Sequence, residues 1–189
     1  MSANLEQNRL IAANSFGVSS IDLSSGDRSV ISTFEFPPEL SSGLAFIGTL
    51  FAPAILSENE ERLFTISTFA DALFETNLTS QESQLIINTD ENDLLSLSSV
   101  TAIALDADET RLFMTTTTLT PELFSVDLNS GTLASLTDLT GQLQFLGRPF
   151  LFFDAIENRL VFSGFLPNDS FGGPNGFNLL ALSLSDLSI

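Results

Sequence analysis

The chain has 189 residues, is 43% hydrophobic with 18 Phe, and carries a formal net charge of −18. This length suits one domain with a sizeable core and does not require two. The apolar content excludes a disordered acidic tail, and the negative charge argues against a nucleic acid partner.

The residue types that are missing narrow the chemistry further. The chain has no Cys and no His, and its six basic residues are all Arg. A disulfide framework, a thiolate metal site and a Ser-His-Asp triad are therefore excluded. The first residues lack the apolar core of a signal peptide, and residues 43–56, the most apolar stretch, are too short to span a bilayer. We expect no membrane span.

In chain order, four segments read as short strands of alternating apolar and polar residues. The first covers residues 5–32 and is expected to lack its opening strand; the second covers residues 50–87. The third, residues 100–136, is the most regular, with four strands and three turns. The fourth, residues 150–189, is expected to lack most of its last strand. Alternation with period two predicts strands, and no segment shows a sustained helical stripe.

Three markers recur about every 50 residues. Arg-Leu and an apolar residue open one strand of each segment, and a triplet with a polar residue followed by Leu closes the next, as in Thr76-Asn77-Leu78 and Val126-Asp127-Leu128. An apolar–polar pair precedes the Arg in the last three segments. The Arg residues are Arg9, Arg62, Arg111 and Arg159. We interpret these Arg residues as structural rather than as an anion-binding ring, and Asp106 and Arg111 could pair across a turn.

A period of about 50 residues with four antiparallel strands predicts an all-β protein, a β-propeller of about four blades. A β-sandwich or β-solenoid is the alternative, although neither explains the recurring Arg. Because both ends fall inside a blade, we expect one domain that is an incomplete ring: a fragment of a larger propeller, or a half-ring completed by self-association.

The fourth segment contains an insertion at residues 165–177. It holds Asn168, Asp169, Phe171 and Asn175, which are the candidate residues for binding a ligand or partner. Loops carry function more often than cores do, although a simple loop insertion is the competing interpretation.

The first segment resembles the repeat of bacterial NHL-like and YVTN-like propeller proteins. The resemblance rests on Asn8-Arg9-Leu10-Ile11 and on the run from Ser20 to Ser32, which follows the pattern Asp-Leu-x-Ser/Thr-Gly-x-Arg-x-Val-Ile-Ser. It implies the propeller fold and, because such proteins are often exported, an extracytoplasmic location; otherwise the chain is expected to be cytoplasmic. It does not specify an activity.

The acidic clusters at residues 58–61, 90–93 and 106–109 could offer oxygen ligands to Ca²⁺, but solvated turns are the favoured interpretation and no cofactor is predicted. The leading hypothesis is a non-enzymatic propeller that binds a protein or an extracellular polymer through its loop face. The alternative is a metal-dependent hydrolase of the gluconolactonase-like class. A quinone-dependent dehydrogenase is weaker because His is absent.

Overall fold

The computed structural model describes residues 2–4, 8–14, 16–34, 53–68, 70–89, 96–116, 122–138, 150–164 and 178–186. Contacts divide the chain into two compact units, Met1–Ser98 and Ser99–Ile189, and each unit holds two antiparallel sheets. Two short 3-10 turns, Leu97–Ser99 and Leu184–Asp186, are described in full, and no helix among the described residues is long and apolar enough to cross a membrane. The predicted all-β class is confirmed.

Each sheet is formed by strands that follow one another along the chain, so every neighbouring pair is a hairpin. Sheet 1 holds β1 (Ser2–Asn4), β2 (Arg9–Asn14), β3 (Gly17–Asp22) and β4 (Arg28–Thr33). Sheet 2 holds β5 (Ala54–Leu56), β6 (Arg62–Ser67), β7 (Ala72–Asn77) and β8 (Ser83–Asn88). Sheet 3 holds β9 (Val100–Leu105), β10 (Arg111–Thr116), β11 (Glu122–Asp127) and β12 (Leu133–Asp138). Sheet 4 holds β13 (Leu151–Asp154), β14 (Arg159–Gly164) and β15 (Asn178–Ser183).

The first sheet corrects one expectation. Sheet 1 does not lack its opening strand, because Ser2–Asn4 pairs antiparallel with β2. This strand lies before the predicted start of the segment at residue 5, and its three residues are too few to show an alternating pattern. Sheet 4 has three strands among its described residues.

We name the two faces of each sheet by its recurring Arg: the Arg face carries that side chain, and the opposite side is the back face. In unit Met1–Ser98, Ile11 and Val18 on the Arg face of sheet 1 share a core with Leu63 and Phe74 on the back face of sheet 2. The rings of Phe34 and Phe74 stack with centroids 4.4 Å apart. Full burial of each such side chain contributes about 1.5–3 kcal/mol.

Unit Ser99–Ile189 repeats this packing. Phe113 and Leu123 on the Arg face of sheet 3 share a core with Leu160 and Phe162 on the back face of sheet 4. The rings of Phe113 and Phe153 lie 6.0 Å apart. In both units, therefore, the Arg face of one sheet meets the back face of the next.

A register shift interrupts the pairing of the third and fourth strands in sheets 1, 2 and 3. In each case the strand nearest the sheet edge holds one extra residue, and that residue is aliphatic: Ile31, Ile86 or Leu136. Such β-bulges bend an edge strand and increase its twist.

Candidate functional site

The recurring Arg residues occupy the same place in all four sheets, at the start of the second strand. Each lies directly opposite the last residue of the third strand: Arg9 opposite Asp22, Arg62 opposite Asn77, Arg111 opposite Asp127, and Arg159 opposite Ser183. The first and second sequence markers are therefore cross-strand neighbours, whose side chains share one face of the sheet.

The Asp or Asn of the second marker closes the turn between the third and fourth strands. Its Oδ1 accepts two backbone N–H groups, those of Ser24 and Ser25 on Asp22, both at 2.8 Å, and those of Thr79 and Ser80 on Asn77, both at 2.9 Å. Asp127 does the same for Asn129 and Ser130. These are Asx turns, which explain why the sequence repeats this residue type.

The same turn requires a left-handed backbone four residues after the Asx residue. Gly26 and Gly131 meet this requirement with φ of 77° and 70°, whereas sheet 2 places Gln81 there with φ of 65°. In sheets 1, 2 and 3 the N–H of this residue donates to the carbonyl of the Asx residue at 2.8–2.9 Å. Only Gly adopts this conformation without steric cost, so the Gly of the marker is a turn requirement.

Hydrogen bonding shifts the acidity of two of these turn residues. The Ser24 hydroxyl, together with the amides of Ser25 and Ser24, lowers the pKa of Asp22 to about 2. The backbone N–H and hydroxyl of Ser130 lower the pKa of Asp127. Donors aimed at a carboxylate favour its charged form. Both carboxylates therefore serve their turns as anions at neutral pH.

The third marker closes the turn between the first and second strands. Asp106 accepts the backbone N–H groups of Thr110 at 2.8 Å and Arg111 at 3.0 Å, so its carboxylate is engaged by the main chain. The ion pair considered for Asp106 and Arg111 forms at the equivalent place in sheet 4, where the Nε of Arg159 donates to Asp154 at 3.0 Å. The main role of these Asp residues is therefore to close the turn.

Two shallow polar grooves lie over the outer hairpins of sheets 1 and 2. Groove 1 has a volume of about 340 Å³ and is lined by Arg9, Ser20, Asp22, Ser25, Asp27, Arg28 and Ser29. Groove 2 has a volume of about 490 Å³ and is lined by Glu75, Asn77, Ser80, Glu82, Ser83 and Gln84. All of these side chains are polar, and the grooves occupy corresponding places because Ser20 and Glu75 hold the same register position.

The recurring Arg residues of sheets 1 and 2 differ in their partners. In sheet 2, Arg62 lies 3.7 Å from the Glu75 carboxylate and stacks over the Phe64 ring. In sheet 1 the corresponding position is Ser20, whose hydroxyl bonds to Ser29 instead. The Nε of Arg9 is buried without a hydrogen-bond partner. A buried N–H without a partner is costly unless a ligand or water accepts its hydrogen bond. Groove 1 is therefore the stronger candidate for a binding site.

The predicted site residues Asn168, Asp169, Phe171 and Asn175 lie outside the described residues. The same holds for the acidic cluster at 90–93. Among residues that the structure describes, no group of three acidic side chains is arranged to hold a metal ion. The groove residues Ser20, Arg28 and Ser29 are not among the predicted site residues, although Arg28 belongs to the pattern that carries the family resemblance.

Comparison with known proteins identifies the fold. No protein-family model and no curated protein matches the sequence. Solved structures do match the fold, with TM-scores of 0.56, 0.56 and 0.54 for TolB from Acinetobacter baumannii, oligogalacturonate lyase from Vibrio parahaemolyticus and the calcium-binding protein regucalcin from Agrobacterium tumefaciens. Sequence identity is 10%, 14% and 12%, respectively.

These neighbours are β-propeller proteins, so the propeller fold predicted from the repeat is confirmed. The matches cover 94%, 95% and 84% of this chain, but only 39%, 50% and 50% of the respective neighbours. The chain thus spans half or less of the length of these structures. They include both enzymes and proteins of other kinds, so the likeness establishes the fold alone.

Proposed function

We propose that this chain is a non-enzymatic binding module, a set of propeller blades that holds a partner protein or an extracellular polymer outside the cytoplasm. The observation that carries the proposal is the pair of polar grooves at corresponding places in two sheets. Two grooves at corresponding places, lined by hydroxyl, carboxylate, amide and guanidinium groups, suit a polar ligand that repeats along its length.

The accounting of the recurring residues also supports binding over catalysis. The Asx residues are engaged by turn amides, Arg62 and Arg159 are paired with carboxylates, and the left-handed positions are turn requirements. These residues thus have structural roles, whereas the Nε of Arg9 lacks a partner, which leaves groove 1 and the loops as the places for recognition. The predicted contribution of Asn168, Asp169, Phe171 and Asn175 to binding remains part of this proposal.

Groove 1 gives the proposal its sharpest test. We expect the Nε of Arg9, which has no hydrogen-bond partner within the protein, to donate to an acceptor oxygen of the ligand, whether carboxylate or hydroxyl. In Ser20→Glu, the new carboxylate occupies the position that Glu75 holds in sheet 2 and can neutralise Arg9 internally. Ser20→Ala is the matched control, since it leaves the groove open.

The assay measures capture of protein partners and of neutral and acidic polysaccharides on the immobilised chain. We expect at least one ligand to bind, Ser20→Glu to weaken it by about tenfold, which corresponds to about 1.4 kcal/mol, and Ser20→Ala to bind within about threefold of wild type. A chain that retains neither polymer nor protein contradicts the binding proposal. Equal binding by wild type and Ser20→Glu places the site elsewhere.

The metal-dependent hydrolase remains the alternative hypothesis. It requires several carboxylate or amide oxygens to converge on one cation, as hard cations prefer. Millimolar Ca²⁺ stabilises a folded protein that binds it, so a rise in melting temperature with added Ca²⁺ would favour the alternative. An unchanged melting temperature, together with an intact captured polymer, favours binding alone.

A further inference from the structure

The Arg face of sheet 4 is an exposed apolar surface. The side chains of Phe150, Phe152 and Leu179 are 48%, 58% and 69% exposed. Register places Phe152 beside Val161 and Ala181, and Leu179 beside Ser163, so these residues share one face of the sheet. The opposite, back face of sheet 4 is the one buried in the core with sheet 3.

The back face of sheet 1 is the second such surface. Val30 is 67% exposed there and follows Ala12 and Ser19 across the sheet. Leu10 and Ile21 pair next to them and are half-buried. The Arg face of sheet 1 is already used, because it packs on sheet 2. Both surfaces therefore belong to sheets whose other face is buried within the same unit.

The packing of sheets within each unit shows how both surfaces can be covered. Sheet 1 meets sheet 2, and sheet 3 meets sheet 4, through one rule: an Arg face packs on a back face. The uncovered Arg face of sheet 4 and the uncovered back face of sheet 1 are the two halves of that same interface. We propose that the Arg face of sheet 4 docks on the back face of sheet 1 in a second copy of this chain.

The size of the faces favours reciprocal contacts. With strands about 4.8 Å apart and about 3.3 Å per residue, the 16 strand residues of sheet 4 present about 250 Å² on one face, and the 21 strand residues of sheet 1 present about 330 Å². One contact is small, whereas two contacts between a pair of copies cover about 600 Å² of each copy, at the lower end of the range found in stable complexes. Two copies bring about eight sheets together, the upper end of the common propeller range.

Charge sets the conditions under which association should be seen. Each copy carries a net charge of −18, so two copies repel one another at low ionic strength. Salt screens this repulsion and leaves apolar contact largely intact. Sedimentation velocity over a wide range of protein concentrations should therefore show a dimer that becomes tighter as salt is raised. A monomer under all conditions overturns the proposal.

Substitutions on exposed positions test the surface without disturbing the fold. Phe152→Glu places a charge on the Arg face of sheet 4 and should weaken the dimer at least tenfold. Ile156→Glu is the matched control, because Ile156 is 92% exposed but lies in the turn between β13 and β14, away from that face. Circular dichroism and melting temperature should show both variants folded. Equal loss of dimer in both variants indicates non-specific association and overturns the proposal.

A complementation experiment tests the head-to-tail arrangement. Val30→Glu places a charge on the back face of sheet 1 and should weaken the dimer as Phe152→Glu does. A mixture of the two variants restores one good contact, between the intact sheet 4 of one and the intact sheet 1 of the other, as expected for a heterologous interface. The mixture should then associate more strongly than either variant alone. Full dimerisation by Val30→Glu instead shows contact between like faces and overturns the proposal.

Discussion

Gln81 has a left-handed backbone conformation at a position where sheets 1 and 3 have Gly26 and Gly131. Replacing Gln81 with Gly should therefore stabilise the protein. The left-handed conformation costs a residue with a Cβ about 1–2 kcal/mol, and Gly avoids this cost. Gly also loses more backbone entropy on folding, which offsets about 0.5–1 kcal/mol of the gain. The net gain for Gln81→Gly is therefore about 0.5–1 kcal/mol. Its backbone N–H, which donates to Asn77 at 2.9 Å, is retained.

The reciprocal change at Gly26 is the control. A Cβ added at Gly26 meets no atom within 4 Å, so Gly26→Gln reports the backbone cost without a collision. We expect Gly26→Gln to destabilise by about the amount that Gln81→Gly stabilises. For a chain of this size each 1 kcal/mol moves the melting temperature by about 2–4 °C, and urea unfolding gives the free energies directly. If Gln81→Gly is neutral or destabilising while Gly26→Gln is tolerated, the assigned turn geometry is wrong.

Three further substitutions test the turns and pairings. The pKa of Asp22 is lowered to about 2, below its unfolded value near 3.9, so its carboxylate stabilises the fold above about pH 4 and this stabilisation is lost as the pH falls towards 2. The stability difference between wild type and Asp22→Asn in urea should shrink over that interval; a difference independent of pH contradicts this. Glu75→Gln removes a partly exposed ion pair with Arg62, so it should lower the free energy of unfolding by less than about 1 kcal/mol, and by less still in high salt. A larger loss that does not depend on salt would show that the pair is effectively buried. Gly17→Ala places a Cβ against the Ser32 carbonyl oxygen and should cost about 1–3 kcal/mol in urea unfolding, while an unchanged midpoint would mean that β3 and β4 lie farther apart.

The sequence predicts the strands and turns well because both signals are local. Alternation follows from the two-residue period of a strand, and an Asx residue followed by Gly has a direct hydrogen-bonding reason to form a turn. The run from Phe124 to Asp127 lies on a strand, and Asp127 caps the turn after it. The opening strand β1 was missed because three residues of mixed polarity carry no periodic signal.

The candidate site was harder to predict because it depends on which residues face each other across strands. Ser20 and Glu75 look unremarkable in sequence, yet their shared register position decides whether the neighbouring Arg is neutralised. The bulges are equally hard to predict, since one apolar residue out of phase with the alternation, such as Ile31 or Leu136, does not by itself identify a bulge. Chemistry that arises from pairing register is visible only once the strands are aligned.

The bulges also bear on how this protein could aggregate. An unpaired strand edge is a template for adding further strands, and a bulge twists that edge away from a regular ladder. β4, β8 and β12 each carry one, whereas the strand pairs described for sheet 4 show no register shift, and β15 is six residues long. Among the described residues β15 is the outermost strand of sheet 4, so growth of cross-β fibrils from heated protein should begin there, and a single Lys on that strand should delay it.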